Sequence, residues 1–106
     1  MSGFDEREKG FEKKFAHDEE TRFKITARRN RLLGQWAAER MGLSKAEAEA
    51  YAKEVVAADF DEAGEEDVYR KIAADLKKRG VNMSEHRIRK QMEDLAAEAS
   101  RQILGK

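Results

Sequence analysis

Glu65-Glu66-Asp67-Val68-Tyr69-Arg70-Lys71-Ile72-Ala73-Ala74-Asp75-Leu76-Lys77-Lys78-Arg79-Gly80 is a helix with both ends written into it. Three carboxylates open it, where the partial positive charge of a helix dipole favours anions. Val68, Ile72 and Leu76 recur every four residues and form one apolar stripe. Lys77, Lys78 and Arg79 close it at the negative end, and Gly80 stops it. A segment that buries one stripe needs an apolar neighbour, so the rest of the chain must supply partners of the same kind.

It does. Upstream, Ser44-Lys45-Ala46-Glu47 reads as a capping box, in which serine and glutamate satisfy each other's exposed amides. Tyr51, Val55 and Ala58 follow on one face, with Phe60 beyond them and a break at Gly64. Downstream, Ser84 is a good N-cap for a helix with Ile88, Met92, Leu95, Ala99 and Ile103 in its stripe. Earlier still, a segment from about 19 to 41 carries Phe23, Ile25, Leu32, Leu33, Trp36 and Met41 and ends at Gly42, suited to a left-handed C-terminal cap. Four amphipathic helices with short loops predict an all-α four-helix bundle. The composition agrees: no proline, 16 alanines and 42% charged residues among 106. The alanines in the stripes predict close helix approach.

The same composition narrows function. Lys plus Arg and Asp plus Glu each number 22, and this zero net charge argues against a general nucleic-acid binder. No cysteine means no disulfide and no thiolate metal site. No apolar run is long enough to span a bilayer, and direct membrane insertion is not expected. Met1 to Arg7 is too acidic and polar for a secretory or transit signal, so the expected compartment is the cytoplasm. No glycine-rich phosphate loop, nucleophile elbow or His–carboxylate–nucleophile grouping is present, so the chain reads as a binding protein and not an enzyme, with no catalytic residue and no cofactor.

Residues 1–18 follow a different rule. Between Ser2 and Glu20 the only apolar residues are Phe4, Phe11, Phe15 and Ala16. At 100° per residue the three rings fall at about 40°, 20° and 60°, an arc of about 40°. A core helix carries a stripe wider than about 100°. Three spaced rings in a charged field suit anchors entering separate pockets of a partner groove. Gly10 and the like-charge pairs Glu8–Glu12 and Lys9–Lys13 weaken the isolated helix, while Asp5–Lys9 helps it. The segment is therefore expected to be disordered or frayed in the free protein and helical when bound. Burying three phenylalanines is worth roughly 5–9 kcal/mol, and ordering fifteen residues costs on the order of 1 kcal/mol each. Further contacts must supply the rest. A second fate is open to Phe11 and Phe15, which is to fold back onto the bundle.

Other candidates are weaker. Arg28-Arg29-Asn30-Arg31 is the most basic cluster; it is either a phosphate or RNA contact or a solvated face with Arg29 snorkelling between Ile25, Leu33 and Trp36. His17 and His86 lack a second ligand at metal spacing, so no metal is expected, and His86 should sit exposed in a first helical turn. The acidic stretch Asp59, Asp61, Glu62, Glu65, Glu66 and Asp67 lacks the ligand spacing of a calcium loop and reads as a charged connection.

Phe4-Asp5-Glu6-Arg7-Glu8, with Phe11-Glu12-Lys13-Lys14-Phe15-Ala16-His17-Asp18, resembles the inhibitory segment of the zeta subunit of alphaproteobacterial ATP synthases, a family once known only as a domain of unknown function. Ala27-Arg28-Arg29-Asn30, Leu32-Leu33-Gly34, Trp36-Ala37-Ala38-Glu39 and Gly64-Glu65-Glu66-Asp67-Val68 extend the resemblance over nearly the whole chain. It implies a four-helix bundle, residues 19–106, carrying a flexible N-terminal inhibitory arm, residues 1–18. It implies a partner, the catalytic head of the F-type ATP synthase with its alpha, beta and gamma subunits, and hence a place at the inner membrane's periphery. The arm would enter an alpha/beta catalytic interface as a helix and block ATP hydrolysis. The residues so implicated are Phe4, Phe11 and Phe15 as anchors with Asp5, Arg7, Glu8, Glu12 and Lys14 as polar contacts. The free chain is expected to be a monomer. The competing readings are a helical nucleic-acid module using Arg28 to Arg31 and an adaptor bundle with an exposed docking arm.

Overall fold

In the computed structural model the backbone is described for residues 2–58 and 65–105, and the side chains for residues 19–58 and 65–105. The protein is all-α. Helices α1 (Ser2–Arg40), α2 (Lys45–Ala58), α3 (Glu66–Lys78) and α4 (Glu85–Leu104) account for nearly all of the described residues, with no strand among them.

The helix ends follow their sequence signals. Gly42 adopts φ 74°, a conformation open to glycine at little cost, and Leu43 N–H donates to the Ala38 carbonyl (3.0 Å) while Gly42 N–H donates to that of Glu39 (3.1 Å). This double bond closes α1 as a Schellman motif and folds Leu43 back against the core. Gly80 repeats the arrangement, with Val81 N–H on the Leu76 carbonyl at 2.9 Å and Val81 packed inward. The capping box at α2 is formed in both directions: Ser44 N–H donates to Glu47 Oε1 (3.0 Å), and Glu47 N–H donates to Ser44 Oγ (3.2 Å). Ser44 thereby holds the Glu47 carboxyl below the usual carboxylate range. Ser84 Oγ accepts from Arg87 N–H at α4. The acidic start of α3 is present, but Glu65 makes no side-chain cap.

One boundary differs from expectation. The segments 1–18 and 19–41 are not separate elements; α1 runs through 39 residues without a break. Nucleation is the costly step in a helix, and each added residue then brings its own hydrogen bond. The packed C-terminal part of α1 supplies the nucleus, no proline or cap interrupts the region around Asp18, and an exposed Glu20–Lys24 pair at i,i+4 (3.7 Å) adds modest support. The expectations of disorder for residues 4–15 and of folding back for Phe11 and Phe15 concern side chains that lie outside the described residues, as do Phe60 and the break at Gly64.

The core is built from every helix. Leu33 of α1, Val55 of α2, Val68, Ile72 and Leu76 of α3, and Ile88 and Met92 of α4 are all at most 2% exposed. Ala37, Ala38 and Ala52 are buried with them, so the alanine-rich faces do bring helices close. The tightest point is Gly34, where a Cβ would lie 2.7 Å from the Ala52 Cα and 3.2 Å from Val55 Cγ2. Only glycine lets α1 and α2 approach this far.

Candidate partner-binding site

Helix α1 carries the residues that the sequence reading singled out, and its described part divides into two stretches. Its C-terminal part is fixed to the body. Leu33, Gly34, Ala37 and Ala38 are buried. Beside them the Arg29 guanidinium turns inward: Nε and Nη2 donate to Asn30 Oδ1 at 3.0 and 2.8 Å, and Nη1 lies 3.4 Å from Glu65 Oε1 at the start of α3. Only 9% of the Arg29 side chain is exposed. This corrects the expectation of a snorkelling arginine with its charge in water. Two donors on one amide oxygen make a rigid fork, and Glu65 brings an opposite charge to the buried one. Asn30 is itself buried, and its Nδ2 finds no acceptor among the described residues.

The basic cluster thereby loses its central member. Arg28 Nη1 donates to Gln102 Oε1 of α4 (2.9 Å), Arg29 is buried, and Arg31 is exposed. At 100° per residue the three point along bearings of about 280°, 20° and 220°. Arg29 thus leaves the cluster for the interior, while Arg28 and Arg31 lie about 60° apart and line one cleft with Lys24. His86 is exposed in the first turn of α4, as expected. Among the described residues, no three His, Asp or Glu side chains are grouped so as to hold a metal ion, and no helix is long and apolar enough to cross a membrane.

Residues 19–28 contrast with the fixed part. None is buried, and Phe23, counted in the sequence with the apolar residues of this segment, is 61% exposed. The wheel places it near the packed face, and it lines a cleft with Val56 of α2 and Ile103 of α4. Farther toward the N-terminus the backbone of α1 carries Phe4, Asp5, Arg7, Glu8, Phe11, Glu12, Lys14 and Phe15; their side chains lie outside the described residues.

Two polar clusters stiffen the body that holds α1, and the sequence reading named neither. Tyr51 Oη donates to Asp75 Oδ2 at 2.7 Å, and Lys71 Nζ reaches the same oxygen at 3.1 Å while lying 5.0 Å from the Tyr51 ring centre. Burial, then the bond to Asp75, pushes the Tyr51 hydroxyl well up. Burial alone raises the Asp75 carboxyl, yet hydrogen bonds from Tyr51 and Lys71 outweigh it and hold the group below its usual value. Arg89 staples α4 to α3: it donates to Glu85 Oε2 (2.8 Å) and Glu66 Oε1 (3.1 Å) and lies 4.1 Å from the centre of the Tyr69 ring. The Glu85–Arg89 spacing of four was a legible signal; the cross-helix partners were not.

Fold and site together define a small all-α protein built around one long helix, whose described side chains are buried only from Arg29 onward. The sequence model of a protein family, ATPase inhibitor subunit zeta, matches residues 1–102, and the chain belongs to that family. It is also similar to a protein whose structure was determined by NMR in solution, with 49% identity over 78% of this chain and 94% of that one and a TM-score of 0.70. A search of curated proteins matched none.

Proposed function

We propose that this protein inhibits ATP hydrolysis by the F-type ATP synthase, and that it does so by inserting the N-terminal part of α1 as a helix into a catalytic alpha/beta interface beside the gamma subunit. The family supports the inhibitory role. The observation that supports the mechanism is the continuity of α1 from Ser2 to Arg40, with burial among its described side chains starting only at Arg29. Phe4, Phe11 and Phe15 are the anchors; Asp5, Arg7, Glu8, Glu12 and Lys14 make the polar contacts. Residues 19–106 carry and aim residues 1–18, with the boundary falling inside one helix, and the free chain is a monomer.

The physics is that of a wedge. A rotary ATPase must open and close its interfaces in turn, and a helix that binds only one state holds the cycle there. A helix already nucleated by its packed half lowers the ordering cost of the arm, which three rings alone cannot offset.

Deleting residues 2–17 tests this directly. Inhibition of ATP hydrolysis by the isolated enzyme should vanish while the truncated chain keeps its cooperative helical unfolding. Phe11→Ala with Phe15→Ala should do nearly the same. Undiminished inhibition by the truncated chain would sink the assignment of the arm.

A further inference from the structure

Burial among the described side chains of α1 starts at Arg29, and at that level two polar ties join the helix to the body. Arg28 Nη1 donates to Gln102 Oε1 of α4 at 2.9 Å. Gln102 is itself held: its Nε2 donates to Glu98 Oε2 at 3.1 Å, and Glu98 also accepts from Arg101 at 2.7 Å. One residue on, Arg29 meets Glu65 at the start of α3, at 3.4 Å. The Arg29 fork closes on Asn30 Oδ1, a neutral acceptor. Among the described residues, the carboxylate that answers its charge therefore comes from outside α1. The two ties point about 100° apart around α1. The tightest contact with α2 is smooth, Gly34 against Ala52, and such packing has no direction of its own, whereas hydrogen bonds do.

We propose that Arg28 and Arg29 are positioning residues, whose ties to α4 and α3 fix the angle at which the N-terminal half of α1 is held against the body. The inference rests on the inhibitor reading and names, within it, the residues that aim the arm. Leverage makes a small change of angle matter. At about 1.5 Å per residue, Phe11 lies about 27 Å along the helix from Arg29, and a tilt of about 10° displaces it by about 5 Å. That is about the rise of one helical turn, enough to take a ring out of register with its pocket. Asn30 makes the tie to α3 necessary. An aspartate there would put the counter-charge of Arg29 on α1 itself, and the helix would no longer need Glu65. With the amide, Arg29 turns to α3 for its opposite charge.

The chain has no cysteine, so Glu19→Cys with Ala74→Cys, both at exposed sites, takes a pair of spin labels across α1 and α3. Double electron–electron resonance should give a narrow distance distribution. Asn30→Asp should broaden it while leaving resistance to denaturant equal to the parent's or higher, because Arg29 gains a charged partner on its own helix. Arg28→Ala, at an exposed site, should broaden it as well. Each should weaken inhibition of the isolated enzyme about three- to tenfold, through a smaller fraction of correctly aimed chains. Both should still inhibit fully at saturation, because the arm is intact. Parent-like distances and inhibition in both variants would overturn the proposal, and so would broadened distances with parent-like inhibition. Weakened inhibition that follows a lowered unfolding midpoint would mean support of the fold alone and equally overturn it. Loss of the inhibitor reading itself shows elsewhere, as inhibition that survives deletion of residues 2–17.

Discussion

The two parts of α1 obey opposite rules within one unbroken helix. Over residues 29–38 small and apolar side chains are pressed against α2 and α4, and even an arginine is drawn inside. Over residues 19–28 nothing is buried, and a phenylalanine lies 61% exposed. Hydrogen bonding along the backbone is the same in both. The difference teaches that secondary structure propagates from a packed nucleus into sequence that has no core of its own. A protein can thereby extend a helical surface toward a partner without spending its own interior to hold it.

Substitution of Leu33 should have the largest effect on this contrast. Leu33→Ala removes a side chain with no exposure from the nucleus of α1 and should cost about 2–5 kcal/mol. Chemical denaturation followed by circular dichroism will measure it, and the helical signal of the upstream part should be lost in the same transition. A separate, earlier transition there would show that the two parts are uncoupled.

Gly34→Ala comes next. Alanine is the better helix former by about 1 kcal/mol, but its Cβ would sit 2.7 Å from the Ala52 backbone. Forced separation of α1 from α2 should dominate, for a net loss of about 1–3 kcal/mol. A stabilised variant would mean that the helices slide apart freely.

The polar support of the body should be visible in pH dependence. Asp75 is held below its ordinary value, so its contribution is full above about pH 4 and is lost as pH falls through the lowered folded value. Tyr51 is raised, so its contribution is full below about pH 10 and declines as pH rises beyond. Asp75→Asn should cost about 1–2 kcal/mol at neutral pH and flatten the acid limb. Tyr51→Phe should flatten the alkaline one. Unfolding free energies measured from pH 3 to 11 will separate the two.

Phe23→Ser should have the smallest effect on stability, about 0.5 kcal/mol or less, although it lies only ten positions from Leu33 on the same helix. A loss comparable to that of Leu33→Ala would show that Phe23 is core and would erase the contrast.

Much of this architecture was readable in the chain. The stripe Val68, Ile72 and Leu76, the capping box at Ser44 and Glu47, and the stops at Gly42 and Gly80 all form as their local chemistry requires. The arm is proposed from the chain alone, where three rings in a charged field have no companions with which to make a stripe. Arg29 was not: its bearing between apolar neighbours was clear, but whether its charge reaches water depends on Asn30 and Glu65 standing in the way. Phe23 was misleading for the converse reason, since a periodic stripe marks a face without saying how far the neighbouring helices extend along it.

Caps, periods and stops act within a few residues, so the amino-acid order alone determined that there are four helices, where they stop and which faces are apolar. Burial depends on which other surface arrives at a given place. Only the tertiary structure decided that Gly34 is a contact point and not a break, that Arg29 leaves the basic cluster for the interior, and that Arg89 joins α3 to α4.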